Sequence, residues 1–230
     1  EFGQVLEKAL NEAFPIELVA VINGGGKISD AFSHLAFDKI IFTGSTRIGK
    51  TIMAAASENL VPVILELGGK SPVLVHPSID LEDVAQRLAA GKLWNAGQTC
   101  VAPDYVFLPK GKTAAFIEHY RLCVQEMYPD LAYNQDYTSI INDQQYNRLQ
   151  GYLEDAVIQG AEVIALNPNN EDLTGVRKIA PTVLTGVTPN MKIMQEEIFG
   201  PILPILEYDQ IDDVIDFINS RPRPLALYYF

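Results

Sequence analysis

Four short stretches of the chain hold residues that could do chemistry. Gly44-Ser45-Thr46-Arg47-Ile48-Gly49-Lys50-Thr51 fits the phosphate-loop spacing G-x-x-x-x-G-K-T. Free backbone N–H groups and the helix dipole at such a turn suit any phosphate. A nucleotide hydrolase also needs a carboxylate for Mg²⁺ at the end of a second apolar strand, and the nearest analogue is Val63-Ile64-Leu65-Glu66. The bland alternative makes Lys50 a solvated lysine in the first helical turn. In Leu65-Glu66-Leu67-Gly68-Gly69-Lys70-Ser71-Pro72, a glutamate near the end of an apolar strand precedes two glycines, which places a carboxylate beside backbone that a ligand can approach closely. Glu66 reads equally well as a strand-terminal salt-bridge or capping residue. Asn95-Ala96-Gly97-Gln98-Thr99-Cys100-Val101-Ala102-Pro103 sets a cysteine in a glycine-containing turn. A free cysteine is more often a small buried hydrophobe than a nucleophile, as Cys123 on a helical apolar stripe illustrates. Gln195-Glu196-Glu197-Ile198-Phe199-Gly200-Pro201 offers a carboxylate pair and an aromatic ring before a Gly-Pro turn, and taken alone it is a helix end or a surface turn.

Hydropathy patterning predicts the elements that must position these residues. Val5, Leu6, Ala9, Leu10 and Ala13 recur at helical spacing, and Leu18 to Ile22 is an apolar run closed by Asn23-Gly24-Gly25-Gly26, predicted as a buried strand and a tight turn. A short helix over Ser29 to Leu35, a strand over Lys39 to Phe42, a helix over Arg47 to Glu58 and a strand over Pro62 to Leu67 follow. This alternation implies crossovers onto a parallel sheet, with ligands held where strand ends meet helix starts. Further along, strands are predicted at Pro72 to Val75, Tyr105 to Leu108, Val163 to Leu166 and Ile202 to Leu206. Helices are predicted at Asp80 to Leu93, at Thr113 to Met127, around Tyr146 to Val157, and through Ile211, Val214, Ile215 and Ile218. The segment Asn167 to Thr174 is the most polar and is expected to be exposed.

Composition removes several classes of function. With 17 Lys plus Arg against 29 Asp plus Glu, the net charge of −12 disfavours nucleic acid and anionic lipid partners, which reward clustered basic residues. No uncharged apolar stretch approaches the roughly 20 residues of a membrane span, and Glu1 to Leu10 lacks the layout of a secretory signal. Two cysteines make no disulfide framework and show no metal-ligand spacing with His34, His76 and His119, so no metal site and a reducing, cytoplasmic setting are expected.

Taken together and in order, Phe42-Thr43-Gly44-Ser45, Leu65 to Pro72, Gly97-Gln98-Thr99-Cys100 and Glu196 to Pro201 resemble the motifs of the NAD(P)-dependent aldehyde dehydrogenase superfamily. Ala102-Pro103-Asp104-Tyr105 and Arg223-Pro224-Leu225-Ala226-Leu227-Tyr228 look most like its class 3 and coniferyl aldehyde dehydrogenase branch. The resemblance covers the whole chain. It implies an α/β fold, in which residues 1–67 form the C-terminal half of a Rossmann-like, parallel-sheet dinucleotide-binding domain. Residues 68–230 would form an α/β catalytic domain, truncated at its C-terminal end. It implies Cys100 as nucleophile and Glu66 as general base, with NAD or NADP met by Gly44, Ser45, Leu67, Gly68, Glu197 and Phe199 and the adenine pocket bordered by Gly24. The implied reaction oxidises an aromatic or long-chain aldehyde to the acid through a cysteine thiohemiacetal and thioester. A complete relative would be a homodimer or homotetramer and would begin before Glu1 and run past Phe230, so the isolated chain is expected to be incomplete for catalysis. Glu66 favours hydrolysis over acyl transfer to coenzyme A, which needs no base for water. A non-catalytic binding module and the phosphate-loop hydrolase stand as the alternatives.

Overall fold

The computed structural model describes residues 1–230, which divide into two units, Glu1–Leu67 and Gly68–Phe230. The first contains α1 (Phe2–Ala13), α2 (Gly26–Ser33), β1 (Ile40–Gly44), α3 (Thr46–Ser57) and β2 (Val63–Leu67). β1 and β2 run parallel in register from Ile40 opposite Val63 to Gly44 opposite Leu67. The crossover helix α3 buries Ile52, Ala55 and Ala56. Gly49 lies in its first turns, where a Cβ would stand 2.8 Å from a methyl of Leu67.

Leu18 to Ile22 is not a strand. Residues 19–25 have no regular structure, and Leu18 and Ile22 are 74% and 61% exposed. The sheet of this unit has two strands only, so the apolar run has no neighbour to complete its backbone hydrogen bonds, and hydropathy without a partner does not make a strand. The second helix begins three residues earlier than its apolar pattern suggests, because Gly25 serves as its N-cap.

The second unit is built on a six-stranded sheet with strand order β5-β6-β7-β4-β3-β8. In chain order its elements are β3 (Pro72–Leu74), α4 (Leu81–Leu93), β4 (Tyr105–Pro109), α5 (Thr113–Met127), α6 (Asp143–Ile158), β5 (Glu162–Ala165), β6 (Thr182–Thr185), α7 (Lys192–Gln195), β7 (Ile202–Tyr208), α8 (Ile211–Asn219) and β8 (Tyr228–Tyr229). All neighbours are parallel except β5 and β6. The burial pattern of β3, β4 and β7 is nearly continuous, as a parallel sheet covered on both faces requires. Asp80 caps α4 by accepting from the Glu82 N–H, and Asn142 caps α6 by accepting from the Gln145 N–H. The polar segment 167–174 is only partly exposed: the Glu171 carboxylate accepts from the N–H groups of Leu131 and Ala132, at 2.7 and 2.9 Å.

Candidate active site

In the first unit, the β1–α3 turn is organised by Ser45. Its φ and ψ of −70° and 149° are those of an N-cap, and its Oγ accepts from the Ile48 N–H at 3.4 Å. No acidic residue stands in the first turn of α3, so the remaining free N–H groups and the positive helix end face outward without a competing carboxylate. This arrangement fits an anionic phosphate group. Gly44 ends β1 where a Cβ would stand 2.5 Å from the Phe42 ring. Glu66 is exposed, lies opposite Thr43 and is followed by half-buried Leu67. Gly24 directly precedes the N-cap of α2, where a Cβ would fall 2.5 Å from Ile28.

In the second unit, the turn carrying Cys100 follows α4 through a single 3-10 turn, Trp94–Gly97. Asn95, Ala96 and Gly97 have φ of 52°, 52° and 72°, three successive left-handed residues. A Cβ on Gly97 would overlap the carbonyl oxygen of Gly200 and stand 2.7 Å from its carbon, so backbone meets backbone between the cysteine turn and the Gly200-Pro201 turn. Cys100 is exposed, and the Tyr228 hydroxyl donates to the carbonyl of its neighbour Val101 at 2.5 Å. Cys123 is half-buried against the core. Burial, and then Glu126 and Glu82, push its thiol pKa upward.

Three of the four sequence stretches meet in this unit, through the Gly97–Gly200 contact and through one buried ion pair whose carboxylate, Asp104, directly follows the cysteine stretch. The Lys70 ammonium donates to Asp104 and to the carbonyls of Ile193 (2.7 Å) and Glu196 (3.0 Å), while the second oxygen of Asp104 accepts from the Ile198 N–H at 2.9 Å. Arg148 on α6 holds the same loop from the other side, donating to the carbonyls of Glu197 (3.1 Å) and Ile198 (2.7 Å). The Tyr152 hydroxyl donates to the Glu196 carboxylate at 2.6 Å. These contacts separate the two glutamates: Glu196 is engaged by Tyr152, and Glu197 is turned toward Gly68, where a Cβ would stand 2.6 Å from its carboxyl carbon. Burial raises the Glu197 pKa against the pull of the Gly69 N–H, with Asp104 adding to the rise and Lys70 and Arg148 opposing it. A half-exposed carboxylate of this kind beside glycine backbone fits a diol that approaches from solvent. Phe199, two residues further along the chain, has a left-handed φ of 50° and keeps 38% of its surface exposed.

Spacing gave no warning of Arg148, of Lys92, or of Asp104 as the hub. Arg148 sits among the apolar positions of α6, and the loop carbonyls it holds are 49 and 50 residues away. Lys92 is 1% exposed near the end of α4. Burial, opposed by the attraction of Asp104, lowers its ammonium from 10.5 to about 8. Between those values the unfolded chain binds a proton that the folded chain does not, so the cost of burying Lys92 is full below pH 8 and fades toward pH 10.5. The stability advantage of a Lys92→Met variant over the wild type is therefore expected to shrink by on the order of 3 kcal/mol between pH 7 and 10.5. Denaturant titration at each pH measures it, and a difference independent of pH would mean that Lys92 keeps an ordinary pKa.

Residues 2–229 match the aldehyde dehydrogenase family, and the chain belongs to it. A probable coniferyl aldehyde dehydrogenase of Pseudomonas aeruginosa is 49% identical over 228 residues, covering 99% of this chain and 47% of that protein. The solved structure of Staphylococcus aureus AldH in a substrate-bound state superposes with a TM-score of 0.91 at 41% identity, covering 99% of this chain and 49% of that one. The betaine aldehyde dehydrogenase of the same organism, solved with NAD⁺, gives a TM-score of 0.81 at 26% identity over 92% of this chain and 43% of its own. The chain thus spans about half the length of the curated relatives it matches. No helix is long and apolar enough to cross a membrane.

Proposed function

We propose that this chain supplies the thiol, the base and part of the cofactor groove of an NAD- or NADP-dependent aldehyde dehydrogenase of the relatives' full length. Its substrate class is an aromatic or long-chain aliphatic aldehyde of the coniferyl type. In this reading residues 1–67 are the second half of the dinucleotide-binding domain and residues 68–230 the catalytic domain. The observation that carries the reading is the pair of cysteines. Cys100 is exposed in a left-handed turn packed on the Gly200 backbone, whereas Cys123 is set into a helix against the core with its pKa raised.

The Cys100 thiolate adds to the aldehyde carbon, forming the C–S bond of a thiohemiacetal, and holds the acyl group as a thioester once that carbon is oxidised. Bound NAD or NADP supplies the hydride acceptor. Ser45 and the start of α3 would hold the pyrophosphate, Gly44 would let the nicotinamide side approach, Leu67 would line the cofactor site and Gly24 would border the adenine pocket. Glu197, beside Gly68, would hold the nicotinamide ribose, with Phe199 packed beside it. Glu66 takes a proton from the water that cleaves the thioester and releases the acid. Lys50, in the phosphate-loop match, is exposed on α3 and has no step in this scheme. Two free cysteines accord with a reducing, cytoplasmic setting, and a homodimer or homotetramer is the assembly we assign.

Limited alkylation of the native chain with mass mapping tests the nucleophile. Cys100 is expected to be modified first, because its thiol is reachable, whereas that of Cys123 is half-buried and burial raises its pKa above the ordinary thiol value. Preferential labelling of Cys123 would remove the assignment.

A further inference from the structure

Gln98 lies two residues before Cys100, and its carboxamide is fully engaged. Nε2 donates to the carbonyls of Asn95 and Ser139, each at 3.1 Å, and Oε1 accepts from the Ile141 N–H at 2.9 Å. Asn95 returns the contact, its Nδ2 donating to the Gln98 carbonyl at 3.1 Å. The 139–141 segment that receives this amide is itself fixed. The Ser139 hydroxyl donates to Val176 at 2.9 Å and the Ile140 N–H to Arg177 at 2.8 Å.

The turn needs such an anchor. Left-handed backbone is strained for a residue with a Cβ, least so for Asn, and Asn95 and Ala96 both adopt it immediately before Gly97. Strain of this kind persists only where the surroundings impose it. The backbone contact of Gly97 with Gly200 restrains one end of the turn. The carboxamide of Gln98 restrains the other, between Gly97 and the thiol.

We propose that Gln98 is the positioning residue of the Cys100 thiol: its side-chain amide clamps the strained turn to the 139–141 backbone and so fixes where the sulfur is presented to the aldehyde carbon. The inference rests on the reading of Cys100 as the nucleophile. Glutamate is the discriminating replacement, because it keeps the volume and the acceptor for Ile141 but turns the donor into a carboxylate oxygen facing two carbonyls. Losing the amide's donated hydrogen bonds should lower the rate of acyl-enzyme formation roughly tenfold. The intrinsic reactivity of the thiol and the binding of cofactor should not follow.

The test uses an enzyme of the relatives' full length carrying this chain. Gln98→Glu is expected to slow the pre-steady-state burst of reduced cofactor about tenfold, while Kd for NAD(P) and the rate of Cys100 alkylation by iodoacetamide each stay within about twofold. Gln98→Met, which has no charge to repel the carbonyls, should show the same split and decides the matter if the glutamate variant fails to fold. An unchanged burst in folded variants, or a loss of cofactor binding in both, overturns the proposal, since Gln98 would then be idle or a general folding residue. A Cys100→Ser enzyme that keeps its burst would instead defeat the nucleophile reading on which the inference stands.

Discussion

Replacing Glu66 by Gln, in an enzyme of the relatives' full length carrying this chain, is expected to leave a burst of reduced cofactor followed by steady turnover slowed by about 10²–10⁴-fold. The amide keeps the shape of the side chain but cannot take a proton from water. Addition of the thiolate and oxidation of the thiohemiacetal ask nothing of Glu66, so the first turnover proceeds and the thioester waits. Glu66 occupies the penultimate position of β2, exposed, one residue before the Leu67-Gly68 step. Stopped-flow absorbance of the reduced nicotinamide separates burst from steady state. Undiminished steady turnover would refute the assignment.

Gly97→Ala is expected to destabilise the second unit by about 2–4 kcal/mol and to disorder the turn that carries Cys100. Two independent costs add here. The φ of 72° is strained for any residue with a Cβ, and that Cβ would overlap a carbonyl that is backbone and cannot swing aside. Gly151 on α6 is the fitting control, because nothing lies within 4 Å of a Cβ built on it. Gly151→Ala should be neutral or slightly stabilising. Equal effects of the two substitutions in urea titration would contradict the contact between the cysteine turn and Gly200.

The candidate site residues stood out in the sequence because each sits at a local discontinuity, a glycine turn closing an apolar run, and such punctuation is written in adjacent residues. The same local character made Thr113 to Met127 and Ile202 to Leu206 readable, where apolar periodicity is strong over a whole element. What joins the stretches was not legible. The ion pair of Lys70 with Asp104 spans 34 residues, and its bond to the Glu196 carbonyl spans 126. Contacts at such separations leave no periodic trace. Leu18 to Ile22 failed for the converse reason: its hydropathy is that of a buried strand, but strand formation depends on a neighbour that hydropathy does not report. β6, four residues, and β8, two residues, were missed, and both are held by the strands beside them.

The central claim is that Cys100 carries the acyl group. It is tested most directly by quenching the Glu66→Gln enzyme in acid at the end of its burst and mapping the adduct by mass spectrometry. The account predicts the acyl mass on the peptide containing Cys100 in an amount equal to the burst. An acyl group on Cys123, or a full burst with no covalent adduct at all, would contradict it.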